Sequence, residues 1–308
     1  MKTAGNFGPS GLRTVLPVAD TDVFKALYYD REHAALRPNL TFVDRTGAIV
    51  FETNEVGLKG DPVDASRKLA VVWGDSVVFG SGRSWPCLLD RLAPGWQFLN
   101  GGLDGDPYSN ILGRAAEFNS RCPVELNLLM LGWHHFVPAR QVIRAAPRPR
   151  WLVWNNDPPE EIWEPRSGNE NLQGELTSFL QRVPNTIVLT TPTALNRQII
   201  DRDLSPYFVA GTDETGFRFL GDLPYQTDAQ RQGFEHITER NDIARAVCAR
   251  LGVRLVDVCA AFDTERSAEF REHFYDVLHF RPRSYPLLTR FIYAEIKDLL
   301  GNRGPPRH

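Results

Sequence analysis

The sequence contains few cysteines and no cysteine pair at metal-binding or redox spacing. Its four cysteines, Cys87, Cys122, Cys248 and Cys259, are scattered along 308 residues without a Cys-x-x-Cys motif. A disulfide framework needs cysteines at characteristic spacings, and a zinc knot needs closely paired ones. The chain therefore predicts neither structural disulfides nor a cysteine-based metal centre.

Long apolar runs and a strong charge of one sign are also missing. No apolar run approaches the ~20 residues that a membrane-spanning helix requires, and residues 1–13 lack the apolar core of a signal peptide. A formal net charge of −3 gives no general attraction to nucleic acid or anionic lipid. We therefore expect a cytoplasmic protein with neither a nucleic-acid nor a membrane partner, while its oligomeric state stays open.

From Leu69 onward, short apolar segments alternate with amphipathic ones, a pattern typical of a parallel sheet covered by helices on both faces. The predicted strands are Leu69–Trp73, Trp96–Asn100, Leu126–Leu131, Thr186–Thr190 and Val253–Val258, and Trp151–Trp154 is either a sixth strand or a piece of a hairpin. The predicted helices are Trp85–Leu92, Ser109–Arg121, Val137–Ala145, Leu172–Arg182, Ala229–Leu251 and Pro282–Leu300. The predicted fold is a three-layer α/β/α sandwich with a flavodoxin-like, five-stranded parallel sheet.

Residues 1–68 do not follow this alternation, and we predict an N-terminal, β-containing extension packed on a main domain at 69–308. Within the extension, Leu40–Val43 and Ile49–Glu52 favour a hairpin, and Asp22–Ala35 favours a short helix.

Two further stretches, 155–174 and 201–233, are irregular and would interrupt the main domain. Long irregular connections are often lids or binding loops. The alternative is that both are solvated surface insertions, although their aromatic residues favour a substrate wall.

Three polar blocks directly follow predicted strands, and a fourth lies on the turn after the fifth predicted strand. They are Gly74-Asp75-Ser76, Asn100–Gly105, Gly132-Trp133-His134-His135 and Asp276-Val277-Leu278-His279. Ligands of such sheets bind beyond the carboxyl ends of the strands, so these blocks should converge.

The residue types in these blocks suit nucleophilic catalysis. Ser76 can present its hydroxyl and its own N–H, and Gly102 can offer a second N–H to an oxyanion. His279 can accept the serine proton while Asp276 fixes the imidazole tautomer.

The blocks resemble those of the SGNH (GDSL-type) hydrolases. Gly74-Asp75-Ser76 is similar to the family's first block, Asn100, Gly102 and Gly105 to its Asn-x-Gly-x-x-Gly block, and Asp276 with His279 to its Asp-x-x-His block. A lead-in at Thr53–Gly60 is also similar to that of some bacterial members. The resemblance covers about Asn54 to Leu300.

The resemblance implies a catalytic triad of Ser76, Asp276 and His279, with Ser76 and Gly102 as backbone oxyanion donors. The family's third block is Gly-x-Asn-Asp, and here the chain departs from it. His134 stands at the position of the asparagine, the third oxyanion donor, and His135 stands at that of the aspartate.

The substituted block leaves the role of its residues open. A neutral imidazole donates through one nitrogen only. A protonated imidazole would donate more strongly, so activity would depend on pH near ~6.5. We assign His134 to the oxyanion hole, and Asp75, Trp133 and His135 to substrate binding. The alternatives are a structural role for Asp75 at the turn and plain packing or exposure for the histidines.

A metal site is the competing interpretation. His134, His135, His279 and His273 could approach one edge, yet no His-x-x-x-His or His-Glu-x-x-His spacing is present. Gly80-Ser81-Gly82 lacks the third glycine of a dinucleotide loop. We predict no metal and no cofactor.

The resemblance thus implies a serine-dependent esterase or acyltransferase that forms an acyl-enzyme on Ser76. The expected substrate is a small acyl ester, for example an O-acetylated sugar or a biosynthetic intermediate. The alternative is a catalytically silent domain of the same fold that binds a carbohydrate or a protein partner.

Overall fold

The computed structural model describes residues 14–17, 29–30, 35–43, 49–80, 84–103, 105–133, 169–197, 200, 211–212, 218–219, 227–262, 273–274 and 277–301. The predicted helix Val137–Ala145 and the predicted strand Trp151–Trp154 lie outside these residues. So does most of each irregular stretch.

The strands, in chain order, are β1 (Thr14–Pro17), β2 (Tyr29–Asp30), β3 (Ala35–Leu36), β4 (Leu40–Val43), β5 (Ile49–Glu52), β6 (Lys68–Gly74), β7 (Trp96–Gly102), β8 (Leu126–Met130), β9 (Thr186–Leu189), β10 (Gly211–Thr212), β11 (Arg218–Phe219) and β12 (Leu255–Val256). The α-helices are α1 (Ser76–Phe79), α2 (Trp85–Leu88), α3 (Tyr108–Arg121), α4 (Leu172–Arg182), α5 (Thr227–Leu251), α6 (Val258–Ala261) and α7 (Tyr285–Ile296). Short 3₁₀ turns occupy Leu89–Arg91 and Pro282–Ser284.

The central sheet contains five parallel strands in the order β7-β6-β8-β9-β12. The second strand of the sheet in sequence therefore lies outside the first, and the strand order reverses between β6 and β8. This is the flavodoxin-like order, and it confirms the predicted fold class. The carboxyl ends of β6, β7 and β8 consequently meet at one edge.

Alternation along each strand divides the core into two layers. In β6, Ala70 and Val72 face one side and Val71 and Trp73 face the other, because successive strand side chains point in opposite directions. The first layer also contains buried residues of α1, α2 and α7, and the second contains buried residues of α3, α4 and α5. A sheet that is buried on both faces explains why its strands read as continuous apolar runs.

Helix α5 has the buried stripe that its sequence predicts. Ile237, Ala244 and Cys248 are buried, and Gly252, with a φ of 66°, follows the last turn. The polar member of the stripe, Asn241, donates to the carbonyl of Thr191 and accepts from its N–H, both at 2.9 Å. This pair of bonds fixes α5 to the chain that follows β9.

The N-terminal segment agrees with its prediction in one part and differs in another. Strands β4 and β5 form the expected antiparallel pair, and β1 runs parallel to β4. The predicted helix Asp22–Ala35 is wrong at its described residues, because Tyr29–Asp30 pairs antiparallel with Ala35–Leu36. Pairing between neighbouring segments outweighs the weak local helix preference here. The domain boundary at residue 68 stays a prediction.

The remaining differences concern element ends. The α-helix predicted for Trp85–Leu92 ends at Leu88 and continues as a 3₁₀ turn, and strand β12 has two residues of the six predicted. The one-turn helix α1 was not predicted. Among the helices that the structure describes, none combines the length and apolar character needed to cross a membrane.

Candidate active site

Ser76 lies at the turn between the central strand β6 and helix α1. Asp75 caps this helix, and its Oδ1 accepts a hydrogen bond from the N–H of Val77 at 3.0 Å. Ser76 is the first residue of the helix. The sequence therefore places the hydroxyl where the buried strand stops and the reversal of strand order opens a crevice.

His279 meets Ser76 at this point. Its Nε2 lies 2.8 Å from Oγ of Ser76, although the two residues are 203 positions apart in the chain. A hydroxyl and an imidazole at this distance can share a proton, as a nucleophile and its base require. The convergence of these two predicted residues is present in the structure.

The turn that carries His279 is held on both sides. Phe274 and Phe280 form an isolated β-bridge across it, and their rings stack at 4.5 Å between centroids. The carbonyl of Val277 accepts from the N–H of Ala194 and from Oγ1 of Thr193, both at 2.9 Å. The turn is thus fastened to the segment after β9, which limits the positions that the imidazole can adopt.

The third triad residue and two of the assigned histidines lie outside the described residues. These are Asp276, His134 and His135, and their roles stay predictions. The remaining histidine of the metal hypothesis, His273, places its Nδ1 3.3 Å from Oγ of Ser284. Within the described ranges, no group of three histidine, cysteine or acidic side chains is arranged to hold a metal ion.

Asp75 has the structural position that the sequence left open as the alternative to substrate binding. Its side chain is buried, with 1% of the residue exposed, and its Oδ2 accepts from the N–H of Trp133. Burial raises the pKa of Asp75, while the N–H groups of Trp133 and Val77 and the charges of His279 and Arg240 oppose this rise. The carboxylate therefore joins the end of β8 to the first turn of α1.

Trp133 is likewise part of the core. Only 4% of the residue is exposed, and its indole N–H donates to the carbonyl of Pro192 at 3.2 Å. The ring is thus packed in the core, and the role of Trp133 in substrate binding stays a prediction.

Gly132 is the position in the third block where glycine is required. Its φ is 72°, and a Cβ atom there would lie 2.4 Å from Cγ of Asp75. A side chain would be strained by the backbone and would clash with the buried carboxylate. The retained glycine permits the close contact between the ends of β6 and β8.

Gly102 packs against α1, and its N–H has a partner. That N–H donates to Oδ1 of Asn100 at 2.8 Å, and a Cβ at Gly102 would lie 2.3 Å from the backbone nitrogen of Phe79. An oxyanion would have to share this N–H with Asn100 or replace it, and the role of Gly102 as an oxyanion donor stays a prediction. The last glycine of the Asn-x-Gly-x-x-Gly block, Gly105, is half-buried and has a φ of 73°.

The carbonyl end of α1 is held by side chains from three other segments, a feature that the sequence reasoning missed. Because α1 is one turn long, these carbonyls need partners from outside the helix. Lys59 Nζ donates to the carbonyls of Phe79 at 2.6 Å and Gly80 at 3.2 Å. Asn100 Nδ2 donates to Val78 and Phe79, Ser84 Oγ to Val78, and the Trp85 indole to Val77.

Lys59 belongs to the Thr53–Gly60 lead-in, which precedes β6 in the chain. It is 2% exposed, its ammonium lies 3.8 Å from the ring centroid of Phe79, and its backbone forms a bridge with Asn100. The family-like motif Thr53–Gly60 marked this segment in the sequence. The sequence did not show, however, that Lys59 would bond the carbonyls of α1. The lead-in therefore supports the segment that carries the candidate nucleophile.

A groove of about 760 Å³ lies between α4, α5 and the segment after β9. Its walls carry both signs of charge, including Arg197, Arg231, Glu235 and Asp242. None of its lining residues belongs to the four blocks. The groove is therefore separate from the Ser76–His279 pair.

The chain matches no protein-family model and no curated protein sequence. Solved structures similar to it include a lipase/acylhydrolase from Enterococcus faecalis, with 15% identity over 77% of this chain and 100% of that one and a TM-score of 0.45. A member of the lipolytic G-D-S-L family from Veillonella parvula shows 14% identity over 75% and 98%, with a TM-score of 0.45. An acetylxylan esterase from Geobacillus stearothermophilus shows 14% identity over 76% and 95%, with a TM-score of 0.49.

The parallel sheet with helices on both faces is the three-layer, flavodoxin-like arrangement that the sequence predicts. At these identities and TM-scores, the likeness to the solved structures carries no argument about activity. What the chain does must therefore be inferred from its own side chains.

Proposed function

We propose that the chain is a serine-dependent esterase or acyltransferase that works through an acyl-enzyme on Ser76. The observation that carries this proposal is the 2.8 Å contact between Ser76 Oγ and His279 Nε2. The clamped turn beneath Ser76 supports it, because a nucleophile must be held in its reactive position before the substrate arrives. By its place in the sequence, Asp276 is the proposed acceptor for the Nδ1–H of His279.

In the first half-reaction, Ser76 Oγ attacks the ester carbonyl carbon and its proton passes to Nε2 of His279. The tetrahedral intermediate then collapses, its carbon–oxygen bond to the alcohol breaks, and His279 returns the proton to the leaving alcohol. In the second, water or another hydroxyl acceptor gives its proton to His279 and attacks the acyl carbon. The bond between that carbon and Ser76 Oγ then breaks, and His279 returns the proton to Oγ, which frees Ser76.

Oxyanion donors are the less complete part of this proposal. The N–H of Ser76 is the first donor that we propose, and the loop after β7 would supply the second. The N–H of Gly102 already donates to Asn100 Oδ1 and would have to share or give up that bond to bind an oxyanion. The N–H of Gly105 is therefore the competing donor in that loop. His134 would be the third, and loss of one such donor typically lowers the rate by roughly 10²–10³-fold.

The proposal is tested by labelling with a fluorophosphonate followed by peptide mapping. We expect modification at Ser76 in the folded protein and none in Ser76→Ala. Ser120→Ala is the matched control, because its hydroxyl donates to the carbonyl of Glu117 within α3 and lies outside the blocks. An unmodified Ser76 in folded wild-type protein would reject the proposal.

The second candidate is a silent SGNH-like domain that binds a carbohydrate or a protein partner. Two observations favour it: His134 in place of the third-block asparagine, and the occupied N–H of Gly102. Wild type and Ser76→Ala should then hydrolyse aryl acetates at equal rates. If the enzyme proposal holds, His134→Asn asks a finer question, since higher turnover would show that an amide is the better donor.

The proposed substrate is a small acyl ester, such as an O-acetylated sugar or a biosynthetic intermediate. A panel of acetylated sugars and aryl esters of increasing acyl length would test this part separately. Preference for acetyl over longer acyl groups supports it, and preference for long acyl chains contradicts it.

A further inference from the structure

Arg240 is a fully buried cation on α5 that the proposed chemistry does not use. None of the residue is exposed, and burial lowers the pKa of its guanidinium to about 10, so the group still carries its charge at neutral pH. Burial of a cation is costly, so its surroundings should explain its presence.

The guanidinium is held in one orientation by neutral acceptors. Its Nε donates to Oδ1 of Asn169 at 3.0 Å, and its Nη2 lies 2.8 Å from Nε2 of His236. Because arginine has no acceptor, this contact is a hydrogen bond when Nε2 of His236 presents its lone pair. Asn169 is oriented in turn by donation from Nδ2 to Glu239 at 2.8 Å.

The remaining described bond points at the active site. Nη1 of Arg240 donates to the carbonyl of Gly132 at 2.6 Å, across 108 positions of sequence. That carbonyl and the N–H of Trp133 belong to the same peptide group. The N–H of this group donates to Oδ2 of Asp75, whose other oxygen accepts from Val77 in α1.

One peptide group therefore lies between a buried cation and a buried anion. The guanidinium meets its oxygen and the carboxylate meets its hydrogen, so both charges favour the direction of its dipole. Hydrogen bonds in such a chain strengthen one another, and bonds to ionised groups are the stronger kind. The charges of Arg240 and Asp75 each favour the ionised form of the other.

We propose that Arg240 is a positioning residue that fixes the Ser76 turn through the Gly132–Trp133 peptide and Asp75. The inference rests on the proposed function, since its main readout is the reactivity of Ser76. Arg240 contacts neither Ser76 nor His279 among the bonds described, so it acts through the peptide and the carboxylate. Removal of its charge should loosen the turn without removing any reacting group.

The test compares Arg240→Met with Arg245→Met. Arg245 lies on the same helix and bonds carboxylates of Asp257 and Asp242, away from the blocks. We expect Arg240→Met to lower kcat and the rate of Ser76 phosphonylation by roughly 10- to 100-fold with KM within about threefold, and Arg245→Met to change neither. Equal rates per folded molecule in Arg240→Met and wild type would overturn the inference.

A double-mutant cycle with Asp75→Asn separates this relay from a general structural role. If Arg240 acts through Asp75, the double variant Arg240→Met/Asp75→Asn should be within about threefold of Asp75→Asn alone. Losses that multiply independently would contradict the relay. Should Arg240→Met fail to fold, Arg240→Gln removes the charge and keeps a polar side chain. We expect a loss of the same kind in Arg240→Gln, and wild-type rates in this variant would overturn the inference.

A readout without catalysis distinguishes failure of this inference from failure of the proposed function. Amide hydrogen exchange of the peptide that contains Trp133 should accelerate in Arg240→Met and stay at the wild-type rate in Arg245→Met. If wild-type Ser76 is never labelled, the proposed function fails while this exchange result still decides the relay. Unchanged exchange in Arg240→Met rejects the relay, whatever the activity.

Discussion

The turns that follow β6 and β8 lie side by side and are joined by Asp75, but their sequences differ in how closely they follow the SGNH pattern. The first turn keeps the pattern at Gly74-Asp75-Ser76. The second keeps Gly132 and then has histidines where the pattern has asparagine and aspartate.

Up to Trp133, the backbone of the second turn is held by hydrogen bonds from other segments, as is that of the first. The carbonyls of α1 accept from Lys59 and Asn100, while Gly132 donates to Thr191 and accepts from Arg240. The sequence leaves the SGNH pattern at His134, beyond the described part of this turn. The described start of the turn is therefore supported even though the asparagine of the pattern is absent.

The largest expected effect comes from removing His279, the proposed base, which contacts Ser76 in the first turn. His279→Ala should lower turnover of an aryl acetate by about 10⁴-fold or more, because Ser76 loses its proton acceptor. His273→Ala, which removes a histidine bonded to Ser284, should leave turnover within about threefold. Similar losses in both variants would mean that His279 has no special role.

In the second turn, Gly132→Ala should destabilise the fold by more than about 3 kcal/mol. The reasons are the strained φ of 72° and the overlap of its Cβ with Asp75. Gly113→Ala is the matched control, because a Cβ there meets nothing within 4 Å on an exposed face of α3, and it should stabilise by about 0.5–1 kcal/mol. Urea unfolding measures both, and a neutral Gly132→Ala would contradict the geometry.

Lys59→Met tests whether the Thr53–Gly60 lead-in supports α1. It removes the donor to the Phe79 and Gly80 carbonyls, which should cost about 1–3 kcal/mol of stability and lower kcat by roughly tenfold. Lys68→Met, at an exposed strand position, should change stability by less than about 0.5 kcal/mol. Unchanged kcat in folded Lys59→Met would show that the lead-in does not position Ser76.

The smallest effect separates packing from substrate binding at Trp133. Trp133→Phe loses one indole hydrogen bond to Pro192 and should cost about 1 kcal/mol with KM unchanged within about twofold. Trp96→Phe loses the corresponding bond to the Leu300 carbonyl and should behave alike. A large rise in KM for Trp133→Phe alone would restore its predicted role in substrate binding.

The elements of the fold could be predicted because their signals are local. Continuous apolar runs identified β6 to β9, and the stripe on α5 gave its buried face. The pairing of Ser76 with His279 followed from strand-end placement together with the family resemblance.

What could not be predicted depends on contacts between distant residues. Nothing local shows that Lys59 reaches the carbonyls of α1, or that Arg240 reaches Gly132 across 108 positions. The bonds of Asp75 and Gly102 were missed for a different reason, since they depend on side-chain directions. The Asn100 side chain, two residues away, bonds the Gly102 N–H that the resemblance assigned to the oxyanion. Such directions follow from the folded geometry and cannot be read from residue type.

The most direct measurement is rapid mixing of the protein with an aryl acetate, followed by acid quenching and mass spectrometry of its peptides. The account predicts a burst of aryl alcohol equal to the protein present and the mass of one acetyl group on the peptide that contains Ser76. Hydrolysis of the ester with no acyl group on that peptide, or acylation at another residue, would contradict it.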